Sequence, residues 1–155
     1  MASRRSSVAM TDDEIDAYLH LSGQVLNLAT IQRNGVPHLT ALFYGFTGDN
    51  RIGILTYESS QKVVNLRRDP RFSALVESGD RYAELCGVHL TGTVELSDSP
   101  RLKAALMDST SSRYPQGPVQ DSADGRRRVL SKRVAVLLNV DKRHSWDHRK
   151  LGGAY

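Results

Sequence analysis

The chain has a single cysteine, Cys86, among 155 residues. That excludes an internal disulfide and a cysteine-rich zinc site. Cys86 lies in the apolar-leaning run AELCGVHL, which suits a buried structural thiol better than a nucleophile. Long apolar runs are also missing. VAVLLNV, the most apolar, falls far short of the ~20 residues that a membrane-spanning helix needs. The opening MASRRSSVAM carries arginines without the apolar stretch of a secretory signal. The expectation is a protein of the reducing cytoplasm, off the membrane. No Gly-x-Ser-x-Gly elbow, Walker loop or dinucleotide-binding glycine fingerprint occurs. This matters little if a bound cofactor brings the reactivity with it. Aromatic residues are only 6% of the chain. None interleaves with the basic cluster Arg126, Arg127, Arg128, Lys132 and Arg133, so nucleic acid would find charge there without stacking platforms.

What is present is ordinary for a globular chain, 39% hydrophobic and 25% charged, enough for one core. The net charge of +4 fits nucleic acid, a phosphorylated cofactor or an acidic substrate, and equally fits solubility alone. Residues 1–10 read as a disordered lead-in and residues 11–155 as one domain. Thr11 caps the helix TDDEIDAYLHL, with Glu14 at capping-box spacing and Ile15, Tyr18 and Leu19 on one face. Three extended runs follow, QVLNLATI, PHLTALFYGF and RIGILTY, separated by RNG and GDN. Asn34-Gly35 predicts a type I′ hairpin, and the three runs read as a meander. RFSALVES is a fourth strand, and AELCGVHLTGTVELS a long fifth with Gly87 and Gly92 at bulges or bends. SPRLKAALMDST is a helix capped by Ser99 with Pro100 first. SRYPQGPVQDSADGR reads as a loop, KRVAVLLNV as a sixth strand, and DKRHSWDHRKLGGAY shows no period. The expected fold is mainly β (α+β), a six-stranded antiparallel barrel with short flanking helices.

Between the third and fourth runs lies YESSQKVVNLRRDPR, a short helix stopped at Asp69-Pro70. Its first turn carries Lys62, although a helix N-terminus already holds about half a positive charge. A bound anion resolves that conflict. With Ser59 or Ser60 as cap, free N–H groups, a hydroxyl, the Gln61 amide and the Lys62 ammonium converge where a phosphate could sit. The other reading sends Lys62 into solvent. Arg67 and Arg68 suit the helix C-terminus without further explanation.

The same residues carry a resemblance. A β-meander followed by Y-x-S-S-Q-K-x-x-N-L-R-R-D-P-R is similar to the pyridoxamine 5′-phosphate oxidase-like superfamily of FMN-binding split barrels. More narrowly it resembles the actinobacterial flavin/deazaflavin oxidoreductases that use coenzyme F420. The ending S-W-D-H-R-K-L-G, residues 145–152, is similar to the tail of one subgroup. The resemblance implies a homodimer with two cofactor sites at the interface. It implies that Ser60, Gln61 and Lys62 grip the cofactor phosphate, with Asn65 on the same helix face helping to orient it. Leu39, Thr40, Ala41 and Leu42 would lie along the ring system, largely through main-chain contacts. Gln61 stands where the oxidase proper usually has arginine, which weakens the case for pyridoxamine phosphate oxidation. Trp146 either packs the tail onto the barrel or walls the cofactor pocket. Tyr57, Tyr44 and Tyr82 are further candidates to line it, and His38 faces either the ring or solvent. The deazaflavin cofactor carries a phosphodiester and a polyglutamate tail, which the Arg126 to Arg133 cluster would attract.

The reading that results is an F420-dependent oxidoreductase passing a hydride from reduced cofactor to an electron-poor small molecule. Its alternatives are an FMN-binding oxidoreductase, a non-catalytic carrier of flavin, deazaflavin or haem, and a basic nucleic-acid-binding barrel. No catalytic residue is assigned. His144 and His148 flank Trp146 but lack a third metal ligand, so no metal is expected.

Overall fold

Alternation sets the first strand: Leu26, Leu28 and Thr30 are buried while Asn27, Ala29 and Ile31 are half-buried. The computed structural model describes residues 4–114 and 122–152. The chain opens with α1 (Arg4–Val8), α2 (Asp12–Leu19), β1 (Leu26–Ile31), β2 (Pro37–Leu42), β3 (Gly45–Phe46) and β4 (Ile52–Tyr57). It continues through α3 (Gln61–Arg68), β5 (Arg71–Ser78), β6 (Cys86–Ser97), α4 (Pro100–Arg113), α5 (Ala123–Ser131) and β7 (Arg133–Asp147). Short 3-10 turns cover Tyr82–Glu84 and His148–Leu151. No described helix is long and apolar enough to cross a membrane.

All seven strands form one antiparallel sheet in the order β2-β1-β5-β6-β7-β4-β3. Its two edge strands are neighbours in the chain, joined only by Phe43 and Tyr44. Two linking residues can bridge about 10 Å at most. The sheet must therefore curl until its edges nearly meet, which makes a split barrel. Leu26, Leu28, Ile54, Val76, Val88, Leu90 and Val136 fill the inside. Tyr44 is fully buried, and its hydroxyl donates to the Leu19 carbonyl at 2.7 Å.

The strand count is seven, not six, because PHLTALFYGF breaks into β2 and β3. The run does pair with both its neighbours, but with different halves: β2 with β1, and β3 with β4. A flat three-strand meander is thereby replaced by a strand that changes edges. The Asn34-Gly35 hairpin is present with a different turn. Only Gly35 has positive φ (81°), and its N–H bonds the Gln32 carbonyl at 2.9 Å. That is a three-residue turn closed by a glycine bulge, not type I′. Gly92 stands at a bulge, with Asp141 as the extra residue on β7; a Cβ there would lie 2.0 Å from the Asn139 carbonyl oxygen.

Three segments differ from the sequence reading. Residues 4–8 form α1 where a disordered lead-in is expected, and the segment meets the C-terminal tail. The Met10 N–H donates to Ser145 Oγ, and Lys150 Nζ to the Ala9 carbonyl. The expected loop after α4 ends in α5, capped by Ser122; residues 115–121 of that loop lie outside the described residues. β7 continues through the aperiodic tail as far as Asp147. Asn139 to His144 are exposed, so no alternation marks them; the ladder to β6 holds them instead.

Candidate anion-binding site at the start of α3

β1 and β4 share a feature at their ends. The inward-facing positions run Leu26, Leu28, Thr30 in β1 and Ile52, Ile54, Thr56 in β4, so each apolar row closes on a buried threonine. A buried hydroxyl needs a partner. Both find one on α3. Asn65 Nδ2 donates to Thr30 Oγ1 at 3.0 Å, and Lys62 Nζ donates to Thr56 Oγ1 at 3.2 Å. Gln61 Nε2 in turn donates to Asn65 Oδ1 at 2.9 Å. Asn65 is fully buried, so it holds Gln61 and anchors the helix to the barrel.

Ser60 is the N-cap of α3, with extended backbone (φ −70°, ψ 150°). Its side chain behaves unlike the other serine and threonine caps. Thr11, Ser99 and Ser122 each accept a first-turn N–H, whereas Ser60 does not. Its Oγ is buried without a hydrogen-bond partner. The N–H groups of Gln61 and Lys62 precede any intrahelical acceptor, and no acid lies in the first turn. Lys62 is only 9% exposed, and burial pushes its ammonium below the ordinary lysine pKa. No carboxylate among the described residues pairs with it. An orphaned hydroxyl, two free N–H groups and a desolvated cation whose one described partner is a neutral hydroxyl follow one another at the start of α3, and together they lack an anionic acceptor.

Exposed apolar side chains adjoin this corner among polar ones. Tyr57 is 54% exposed and lies under the Arg133 guanidinium, 4.6 Å from its ring centre. Arg133 Nη1 donates to the Leu55 carbonyl at 3.2 Å, while its Nε is buried without a partner. β2 is an edge strand whose Leu39 and Ala41 point outward and whose His38, Thr40 and Leu42 are half-buried. Because β2 pairs only with β1, half of its backbone donors and acceptors face away from the sheet. Register places His38 opposite Thr30, so the start of β2 lies beside the α3 anchor.

The structure thus gathers Ser60, Gln61, Lys62 and Asn65 at one corner, with Tyr57 leading into it and β2 alongside. Trp146 is elsewhere in the chain's own fold. It pairs with Gly87 and covers it so closely that a Cβ there would meet Trp146 Cζ2 at 2.4 Å. Arg133, which pairs with Tyr57, lies thirteen residues back along the same strand. Tyr44 belongs to the core, and Tyr82 is exposed beside His148. Sequence reasoning missed Thr30, Thr56 and Arg133. The first two carry a readable signal, a polar residue on the inward parity of an otherwise aliphatic strand. Arg133 was hidden within a basic cluster.

A larger cleft of about 700 Å³ opens at the other end of β4, between α2 and the bulged part of β6 and β7. Most of its charged side chains are paired: Arg143 bridges Asp12 and Asp16, and Arg51 bridges Asp49 and Glu95. No orphaned polar side-chain atom faces it. The chemistry favours the smaller corner. Among the described residues, no group of three or more potential metal ligands occurs.

Comparison with known proteins agrees with this architecture. The most informative solved structure is a conserved hypothetical protein from Mycobacterium tuberculosis, 38% identical, with TM-score 0.84 over 99% of this chain and 95% of that one. An F420 reductase is 20% identical, with TM-score 0.63 over 81% of this chain and 93% of its own. A haem storage protein from Vibrio cholerae is 12% identical, with TM-score 0.63 over 84% and 90%. The last two share the fold. No curated protein matches the chain. The family profile described as Pyridoxamine 5′-phosphate oxidase matches residues 11–144. With most of its length matched and a split barrel closed by adjacent edges, the chain belongs to the pyridoxamine 5′-phosphate oxidase-like family.

Proposed function

We propose that the chain binds the phosphate of coenzyme F420 at the start of α3 and works as an oxidoreductase on an electron-poor small molecule. The observation that carries this reading is the buried, unpartnered Ser60 Oγ beside the desolvated Lys62. A phosphate oxygen would accept from both and from the free first-turn N–H groups. The cofactor supplies the hydride chemistry. The chain's residues have the remaining tasks. Ser60 and Lys62 hold the anion, Asn65 fixes Gln61 beside it, and the free backbone edge of β2 offers the ring system main-chain contacts through residues Leu39 to Leu42.

The reading includes a homodimer in the cytoplasm, each copy completing the other's site. Val36, Leu39, Tyr57 and Val64, 48–67% exposed, surround the corner with apolar surface that a second copy would cover. Trp146 would then reach a cofactor only through the partner.

FMN is the alternative cofactor, because its phosphate makes the same demands on Ser60 and Lys62. Titration with F420 and with FMN, followed by quenching of their fluorescence, separates the two. Tight F420 binding supports the proposal, and tight FMN binding with none of F420 overturns that choice. A carrier of flavin, deazaflavin or haem also fits a corner without acid–base groups. Turnover of reduced cofactor with a panel of conjugated carbonyls and quinones tells enzyme from carrier.

A further inference from the structure

We propose that Lys62 is a site of acylation by acyl phosphates, which the start of α3 guides by their phosphate, and that the acylated chain no longer holds its cofactor. The inference rests on the phosphate reading above and adds a regulation of that same site. A helical side chain leans toward the N-terminal end of its helix. The amine of Lys62, in the first turn, therefore lies over the end where the N–H groups of Gln61 and Lys62 are free. The Ser60 hydroxyl, buried without a partner, belongs to the same end. In an acyl phosphate a single bridging oxygen separates the phosphorus from the acyl carbon. A phosphate held by these donors brings that carbon to the amine, and reactants held together react far faster than colliding ones.

Lys62 differs from the chain's other lysines. It is 9% exposed, and its one described partner is the neutral hydroxyl of Thr56 at 3.2 Å. Burial holds its ammonium below the ordinary lysine pKa, so more of the amine is neutral and nucleophilic. Lys103 is as deeply buried, but it donates to the Arg133 carbonyl at 3.0 Å and lies 3.7 Å from an Asp98 oxygen. Lys150 is held by Glu14 at 2.7 Å and by the Ala9 carbonyl. Lys132 and Lys142 are exposed and serve as references within the same molecule.

The step balances without a redox partner. The Lys62 nitrogen attacks the acyl carbon, a C–N bond forms, and the C–O bond to the phosphate breaks. The phosphate leaves with that electron pair and takes the proton that the nitrogen sheds. The product is an amide, which keeps an N–H for Thr56 but has no charge to offer a phosphate. Acylation and cofactor binding exclude each other as a result. A cofactor phosphate covers the amine, and the amide removes the cation that this phosphate needs.

The test incubates the full chain, free of cofactor, with acetyl phosphate and follows each lysine by peptide mass spectrometry. The N-hydroxysuccinimide ester of acetic acid, which carries no phosphate, is the comparison reagent. Acetyl phosphate should modify Lys62 ahead of Lys132 and Lys142, and the succinimidyl ester should reverse that order because burial shields the amine. Saturating inorganic phosphate should slow the Lys62 reaction with acetyl phosphate and leave Lys132 and Lys142 unchanged. Ser60→Ala should slow it roughly tenfold, the size of one hydrogen bond to a charged group. Ser60 Oγ makes no hydrogen bond, so its removal leaves the cap and the fold in place. Protein acetylated at Lys62 should lose the preference for a phosphorylated cofactor, and loading with that cofactor should protect the lysine. Acetylation of Lys62 no faster than that of the exposed lysines, in a protein that still prefers a phosphorylated cofactor, overturns the acylation site and leaves the phosphate reading standing. Wild type that shows neither selective acetylation nor that preference overturns the phosphate reading, and the acylation site with it.

Discussion

Burial holds the Lys62 ammonium below the ordinary lysine value of 10.5, with Thr56 as its protein partner. The folded pKa is thus lower than the unfolded one, and the unfolded chain binds more protons between the two. Stability of the unliganded protein should therefore rise with pH through that window, up to about 10.5. Thermal melting between pH 8 and pH 10.5 checks this, and Lys62→Met should remove the rise attributable to this residue. Binding has the opposite dependence. A phosphate favours the charged amine, so affinity is complete below the free-state pKa and declines as pH climbs above it. Lys62→Arg, which stays charged, should flatten that decline. An equal decline in wild type and Lys62→Arg would remove Lys62 from the binding step.

Arg113, at the last position of α4, shows how an element is fixed by one side chain. It donates to the carbonyls of Leu19, His20 and Leu21 at 2.9–3.1 Å, and so caps the C-terminal end of α2. Its guanidinium also lies 4.4 Å from the Tyr44 ring centre. Charge-assisted bonds of this kind contribute about 1.5–3 kcal/mol each, without full additivity. Arg113→Ala should cost about 3 kcal/mol or more in denaturant unfolding, and Arg113→Lys should recover only part of it, because one ammonium cannot span three carbonyls. A loss below about 0.5 kcal/mol, typical of a surface site, would contradict the clamp. Elements whose periodicity comes from a buried face were legible in the sequence: α2 with its capping box, β1, β4, α3 and β5. The exposed end of β7 was not, because its residues are held by backbone pairing that no side-chain pattern records. The change of edge between β2 and β3 was also hidden, since both halves belong to one apolar run. At the site, Ser60 and Lys62 could be named from the helix start alone. The orphaned state of Ser60 Oγ could not, because it depends on where the first-turn N–H groups point.

For the whole molecule, the curled sheet leaves β2 with an unpaired backbone edge and a rim of apolar side chains beside the corner. Sedimentation should find a dimer, and Leu39→Glu, which places a charge on the most exposed of these side chains (67%), should shift it toward monomer and weaken cofactor binding together. A monomeric wild type with full cofactor affinity would contradict the shared site. The central claim is narrower: the start of α3 holds the cofactor's phosphate. The most direct test is a cycle of four dissociation constants, for a phosphorylated cofactor and its dephosphorylated counterpart, each with wild type and Lys62→Ala. The account predicts that wild type favours the phosphorylated form by at least tenfold and that Lys62→Ala removes most of that preference, the size expected of a charge-assisted contact. The same preference in both proteins would contradict it.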